Sequence, residues 1–293
     1  MSSKNCNNDS EKPLDLQDFK PIRRIDQDSF YLIKLIENIK TGEKFAAKEY
    51  ITYEPYNVQC NLFNDERNAY LKLKHPTIVS YIGYSDIKID EEYKSIIITE
   101  YIPKSLKNFG LELTNTNKYI ILLGVAISLK YMHSQGVIHR NIRPKNIRLD
   151  DQLYPHICNF EFSYITDKEL TETEMYDNIG TPLYLAPEIC SEISYSYKVD
   201  VYSFAITMHQ LITSQRTTKN FKIRDVIEGV RPDINLVQSR KMRDLIERCW
   251  SGDPSTRPNF IEIVEEMKSE ELQRDFGANQ EEISAYLDYL STQ

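Results

Sequence analysis

The stretch His139-Arg140-Asn141-Ile142-Arg143-Pro144-Lys145-Asn146, followed thirteen residues later by Asn159-Phe160-Glu161, decides how the rest of the chain is read. It places side-chain amides at Asn141, Asn146 and Asn159 and a single carboxylate at Glu161. An amide gives a neutral oxygen and has no useful basicity, so general-base chemistry at these positions is excluded. On the N-terminal side, the apolar residues from Tyr119 to Met132 have helical spacing, as do those from Val201 to Leu211 on the C-terminal side. Ahead of Tyr101 the pattern is strand-like, over 30–35, 45–50, 78–84 and 94–100, with Thr41-Gly42 as the first turn. One helix carrying Glu66, Tyr70, Leu71 and Leu73 interrupts it and stops before His75-Pro76. A small strand-rich half therefore precedes a larger helical half.

The 293 residues suffice for one large two-part domain, and a hydrophobic content of 41% suits a sizeable core. A formal charge of −8 disfavours nucleic acid or an anionic membrane as a general partner. Five cysteines without a CxxC pair argue against a disulfide framework and a zinc site. The N-terminus lacks an apolar signal core and the longest apolar stretch is too short to span a bilayer, so a cytoplasmic protein without membrane insertion is expected. Residues 1–18, rich in Asn, Ser, Asp and Lys, read as a disordered tail. Near the C-terminus Ile283, Tyr286, Leu287 and Leu290 share one helical face, expected to pack on the body of the protein.

Read in order, the motifs resemble the eukaryotic protein kinase domain. Phe45-Ala46-Ala47-Lys48 and Glu66 look like that family's strand lysine and its helical glutamate partner. His139-Arg140-Asn141 with Asn146 resembles the catalytic loop, Asn159-Phe160-Glu161 stands where the family has Asp-Phe-Gly, and Ala186-Pro187-Glu188 follows. Asp200-Val201-Tyr202-Ser203-Phe204 resembles the central helix, and Cys249-Trp250 through Arg257-Pro258 the closing segment, with Glu188 and Arg257 as the buried ion pair. Ile98-Thr99-Glu100-Tyr101 and the Cys-Trp pair look most like the tyrosine-kinase and tyrosine-kinase-like branch. The resemblance implies an α+β, bilobal fold: an antiparallel-sheet N-lobe with one helix over 19–103, a mainly helical C-lobe over 104–268, and a helical extension over 269–293.

The departures from the family pattern fall on one reaction. Asn141 replaces the base, a loss of roughly 10²–10⁴ in rate. Asn159 replaces the Mg²⁺-binding aspartate. Asp26, Asp28 and Tyr31 stand where three glycines would cradle phosphate, and at about 5 Å and an effective dielectric near 20 each acid costs a phosphate charge about 3 kcal/mol. Arg148 occupies the floor of the adenine pocket. Ile33, Ala46, Lys48, Glu66, Thr99 and Asn146 remain as its remnants. Arg140 is the residue that receives an activation-loop phosphate in similar kinases, which makes Thr171, Thr173 and Tyr176 candidate phosphosites.

These losses lead to the expectation of a pseudokinase that is not an enzyme and signals by binding another protein, such as an active kinase. No cofactor is then expected: ATP binds weakly at most and Mg²⁺ much more weakly than in the family, with Glu161 as a shifted carboxylate that could compensate in part. Two alternatives stay open, a low-activity ATP-dependent Ser/Thr or Tyr kinase and a nucleotide sensor that needs no metal.

Overall fold

The computed structural model describes residues 12–28, 30–50, 56–89, 92–108, 112–166, 182–190, 196–215 and 221–293. Thr171, Thr173 and Tyr176 lie outside them. The chain divides into two compact units, Met1–Phe63 with Tyr81–Tyr101, and Asn64–Ser80 with Ile102–Gln293.

In the first unit, strands β1 (Phe19–Gln27), β2 (Tyr31–Asn38) and β3 (Lys44–Tyr50) form consecutive antiparallel hairpins. Helix α1 (Tyr56–Lys72) follows, and the division between units falls within it, after Phe63. Strands β4 (Tyr81–Ile89) and β5 (Glu92–Glu100) complete a five-stranded sheet in the order β1-β2-β3-β5-β4. The period of two along each strand sorts the side chains between faces. Ile36, Phe45, Ala47, Ile96 and Ile98 form the core of one face.

Leu14, Leu16 and Phe19 pack against that core, and the Leu14 N–H donates to the Tyr84 carbonyl at 2.7 Å. Residues 12–18, expected in the polar tail, thus give the sheet a covering edge. A Cβ at Gly83 would stand 2.7 Å from Leu14 Cδ1, so a larger residue there would push the Leu14 side chain off the sheet. Strand β1 was not expected. Arg23, Arg24 and Asp26 hide it, because an edge strand exposed over most of its length needs no apolar alternation.

The second unit contains β6 (Lys104–Ser105), α2 (Asn115–Ser134), β7 (Val137–Ile138), β8 (Ile147–Leu149), β9 (Pro155–Ile157) and β10 (Tyr164–Ile165). The helices α3 (Pro187–Cys190), α4 (Lys198–Thr213), α5 (Ile223–Ile227), α6 (Arg240–Cys249), α7 (Phe260–Lys268), α8 (Glu270–Phe276) and α9 (Gln280–Ser291) follow. Helix α2 starts at Thr114, which forms a capping box with Asn117. From Tyr119 to Ala126 every α2 residue is buried, and so is α4 from Val199 to Leu211. Helices buried on all sides occupy the centre of a core.

The strand expected from Ile78 begins at Tyr81 instead. Ile78 makes an isolated parallel bridge to Ile157, and the Val79 N–H donates to the Ile157 carbonyl at 3.0 Å. These contacts, with the Tyr70 ring on Phe160 at 4.9 Å, draw residues 64–80 into the helical unit and move the expected boundary.

Candidate functional site

Within the first unit, register gathers the expected nucleotide residues on one face. Ile33 lies opposite Lys48, Leu35 opposite Ala46, Tyr31 opposite Tyr50, and Ala46 opposite Thr99. Directly opposed residues point the same way, so Tyr31, Ile33, Ala46, Lys48 and Thr99 share the face away from the Phe45 core. Lys48 is 5% exposed. Its Nζ lies 4.0 Å from the Tyr31 ring centroid and 5.4 Å from that of Tyr50. The Tyr31 side chain thus covers the cation that the sequence assigns to phosphate.

Tyr31 holds this place because the Asp28 N–H donates to its carbonyl at 2.9 Å, closing the β1–β2 turn. The Asp26 carboxylate accepts from the N–H of Gln27 at 2.9 Å, and both acids are half-buried. Tyr31→Leu keeps an apolar plug but removes the π face. A cation–π contact is worth about 0.5–2 kcal/mol, so ATP should bind the variant about two- to thirtyfold more tightly. Calorimetric titration of both proteins checks this.

In the second unit the His139-Arg140-Asn141 turn hangs on Asp200, in the first turn of α4 and fully buried. Its carboxylate accepts from the backbone N–H of His139 at 2.9 Å and of Arg140 at 2.8 Å, and bonds His133 Nε2 at 2.9 Å. Burial pushes this carboxyl up, but the His133 bond, both imidazoles and the His139 N–H outweigh it and hold it below the usual range. Arg140 has φ 61°, a left-handed conformation rare for a non-glycine residue. Two hydrogen bonds to one carboxylate hold the loop in that strained turn.

His139 is neutral, because burial lowers its pKa more than Asp200 and Glu161 raise it. Its Nδ1 accepts from the Asn141 N–H at 3.2 Å, which leaves the Nε2 proton for the Cys158 carbonyl at 3.2 Å. Tyr70, Phe160 and His139 form a ring column, with centroids 4.9 and 5.1 Å apart. Burial also lowers the pKa of His75 and His209. Each of the three binds its proton less well folded than unfolded, so stability is full above the unfolded value of 6.5 and falls below it. Thermal unfolding should show Tm dropping between pH 7.5 and 5.5, with the slope reduced in His139→Gln.

The expected site amides form a relay. Asn146 Nδ2 donates to the Asn141 carbonyl at 2.8 Å, and Asn159 Nδ2 to Asn146 Oδ1 at 2.8 Å. Asn159 is also left-handed, at φ 68°. The Glu66 carboxylate accepts from the Phe160 N–H at 3.2 Å, so the retained glutamate fixes this turn. Glu161 is 1% exposed. Arg148 is half-buried in β8, opposite His156 and Ser105. The Arg140 Nε donates to the Phe162 carbonyl at 2.5 Å.

Mg²⁺ is a hard cation that favours carboxylate ligands. Asn146 and Asn159 are neutral and engage each other, so this donor set does not fit the metal as the family binds it. Asn141 differs from its neighbours. Its side chain is 2% exposed, and neither Oδ1 nor Nδ2 has a hydrogen-bond partner among the described residues. The sequence did not single out the Tyr31 cover on Lys48 or the role of Arg143. Arg143 lies two residues beyond Asn141; burial raises the pKa of the Tyr184 hydroxyl to about 12, against the hydrogen bond to Gln210 and the field of Arg143, which lower it.

A lysine-bearing antiparallel sheet, a glutamate on the next helix and a His-Arg-Asn turn pinned by a buried aspartate define the kinase-like class of fold. The family model described as "Protein kinase domain" matches residues 22–267, and the chain belongs to that family. It is 34% identical to the serine/threonine/tyrosine-protein kinase HT1 of Arabidopsis thaliana over 69% of this chain and 53% of that protein. It is 27% identical to the serine/threonine-protein kinase STY17 of the same plant, over 78% and 40%, and 27% identical to the dual specificity protein kinase shkC of Dictyostelium discoideum, over 69% and 42%. The chain spans about half the length of these relatives or less, and 14% of a mimivirus relative. All of them are named as kinases. The expectation that this chain is not an enzyme is corrected on that finding.

Proposed function

We propose that the chain is an ATP-dependent protein kinase domain of low turnover that transfers a phosphoryl group to serine or threonine hydroxyls. The relatives' names support the reaction class. The observation that carries the mechanism is the Asn141 amide, buried and without a hydrogen-bond partner among the described residues, at the end of a turn fixed by Asp200. An unsatisfied buried amide costs about 1–3 kcal/mol, and a substrate hydroxyl that donates to Oδ1 removes that cost. The amide orients the attacking oxygen without taking its proton, which passes to the transferred phosphoryl group as the bond between the β- and γ-phosphates breaks and ADP leaves. Positioning therefore supplies the rate, and the roughly 10²–10⁴-fold share of a general base is missing. Lys48 provides charge for the phosphates once the Tyr31 ring moves aside.

The acceptor class is tested by incubating the full chain with γ-labelled ATP and peptide pools whose only hydroxyl residue is Ser, Thr or Tyr. Label on the Ser and Thr pools is expected. Label confined to the Tyr pool contradicts the proposed specificity.

A further inference from the structure

The helical face singled out in the sequence near the C-terminus divides its residues between two tasks. Ile283 and Tyr286 are buried at 1% and 0%, whereas Leu287 and Leu290 are half-buried along a groove of about 810 Å³ in the second unit. Helices α2, α7 and α9 form it. α9 is seated by its Asn279 N–H on Thr116 Oγ1 at 3.0 Å and by Tyr286 against Gly124, where a Cβ would come within 2.2 Å of the hydroxyl. Ile127, Tyr131, Phe260 and Val264 complete the apolar floor, and Ile261 at the rim is 59% exposed.

The charge pattern is unlike that of the chain as a whole, which has 44 acidic and 36 basic residues. None of the fifteen lining residues is acidic, and Lys130 and Lys268 are both among them. Among the described residues Lys268 has one acidic partner, Glu265, at 4.0 Å in an exposed pair, a weak interaction. The two cations stand apart. α7 runs antiparallel to α2, since the Tyr119 hydroxyl donates to the Met267 carbonyl at 2.6 Å while the His133 ring meets Phe260 at 5.1 Å. Lys268 is thus level with Tyr119, and Lys130 is eleven residues further along α2, about 16 Å at about 1.5 Å per residue.

From this arrangement we infer that the groove docks an amphipathic helix of a partner protein, with an apolar face flanked by acidic residues about three turns apart. A fourth helix laid along α2 fills the apolar floor and presents a carboxylate to each lysine. A single-headed lipid carboxylate reaches only one of them. This inference does not depend on phosphoryl transfer.

The test is fluorescence anisotropy of a labelled designed helix, with two glutamates eleven residues apart around a leucine stripe, titrated with the full chain. Saturable binding is expected. It should weaken at least about tenfold for Lys130→Glu/Lys268→Glu and return when the peptide glutamates are exchanged for lysines. An unchanged Tm for the double variant keeps the comparison one of folded proteins. No saturable binding, or binding indifferent to charge reversal, overturns the inference. Dodecanoate that raises Tm while the peptide does not would assign the groove to a lipid instead.

Discussion

Asn141→Asp should raise turnover by about 10²–10⁴-fold, the share of rate that a positioned general base supplies. The substitution alters one atom pair on a backbone already held in place. Asp200 fixes the N–H groups of His139 and Arg140, His139 Nδ1 accepts from the N–H of residue 141, and Asn146 holds its carbonyl. The carboxylate therefore arrives where the amide now lies, buried and facing no partner among the described residues. The pH profile separates this from a structural effect. The variant's rate should rise with pH as the new carboxyl ionises, and the native protein should lack that limb. Equal rates for the two proteins would mean that residue 141 does not meet the acceptor hydroxyl.

Arg257→Leu should cost about 3–5 kcal/mol by leaving the Glu188 carboxylate buried without its cation. Arg257 is 1% exposed and Glu188 7%. The guanidinium grips both carboxylate oxygens, at 2.6 and 2.9 Å, and donates further to the Lys198 carbonyl at 3.1 Å and the Ser251 carbonyl at 2.9 Å. For a chain of this size, 2–4 °C per kcal/mol puts the loss at roughly 6–20 °C in Tm. The double variant Arg257→Leu/Glu188→Leu should recover part of it, because no buried charge is left unpaired. A single variant within a degree of the native protein would show that the pair is dispensable.

Residues whose chemistry needs a fixed spacing were legible in the sequence. The offsets from His139 to Asn146 and from Asn159 to Glu188 specify the helical unit, and Lys48 sits on the expected strand. Strand β1 was hidden because its side chains face solvent along an edge. Leu14 and Leu16 were assigned to a polar tail because two isolated leucines carry no period, although a sheet face needs only such cover. The Tyr31 ring over Lys48 depends on a cross-strand neighbour seventeen positions away, a relation that no local pattern records. The division of the α9 face was invisible for a related reason: spacing puts Ile283 and Leu290 on one side, but only packing decides which meets the core. The expected loss of function rested on Asp26, Asp28, Tyr31 and Arg148 as well as on Asn141 and Asn159. The two amides are where the sequence put them, but replacing a base lowers a rate without removing the groups that position the reactants.

The central claim is phosphoryl transfer at low turnover, and the most direct measurement is the rate of γ-phosphoryl transfer from labelled ATP by the full chain beside its Lys48→Ala variant. The account predicts slow transfer by the native protein, stoichiometry passing one phosphate per chain on prolonged incubation with acceptor, and loss of that signal in the variant. Indistinguishable rates for the two proteins, at the level of a blank without enzyme, would contradict it.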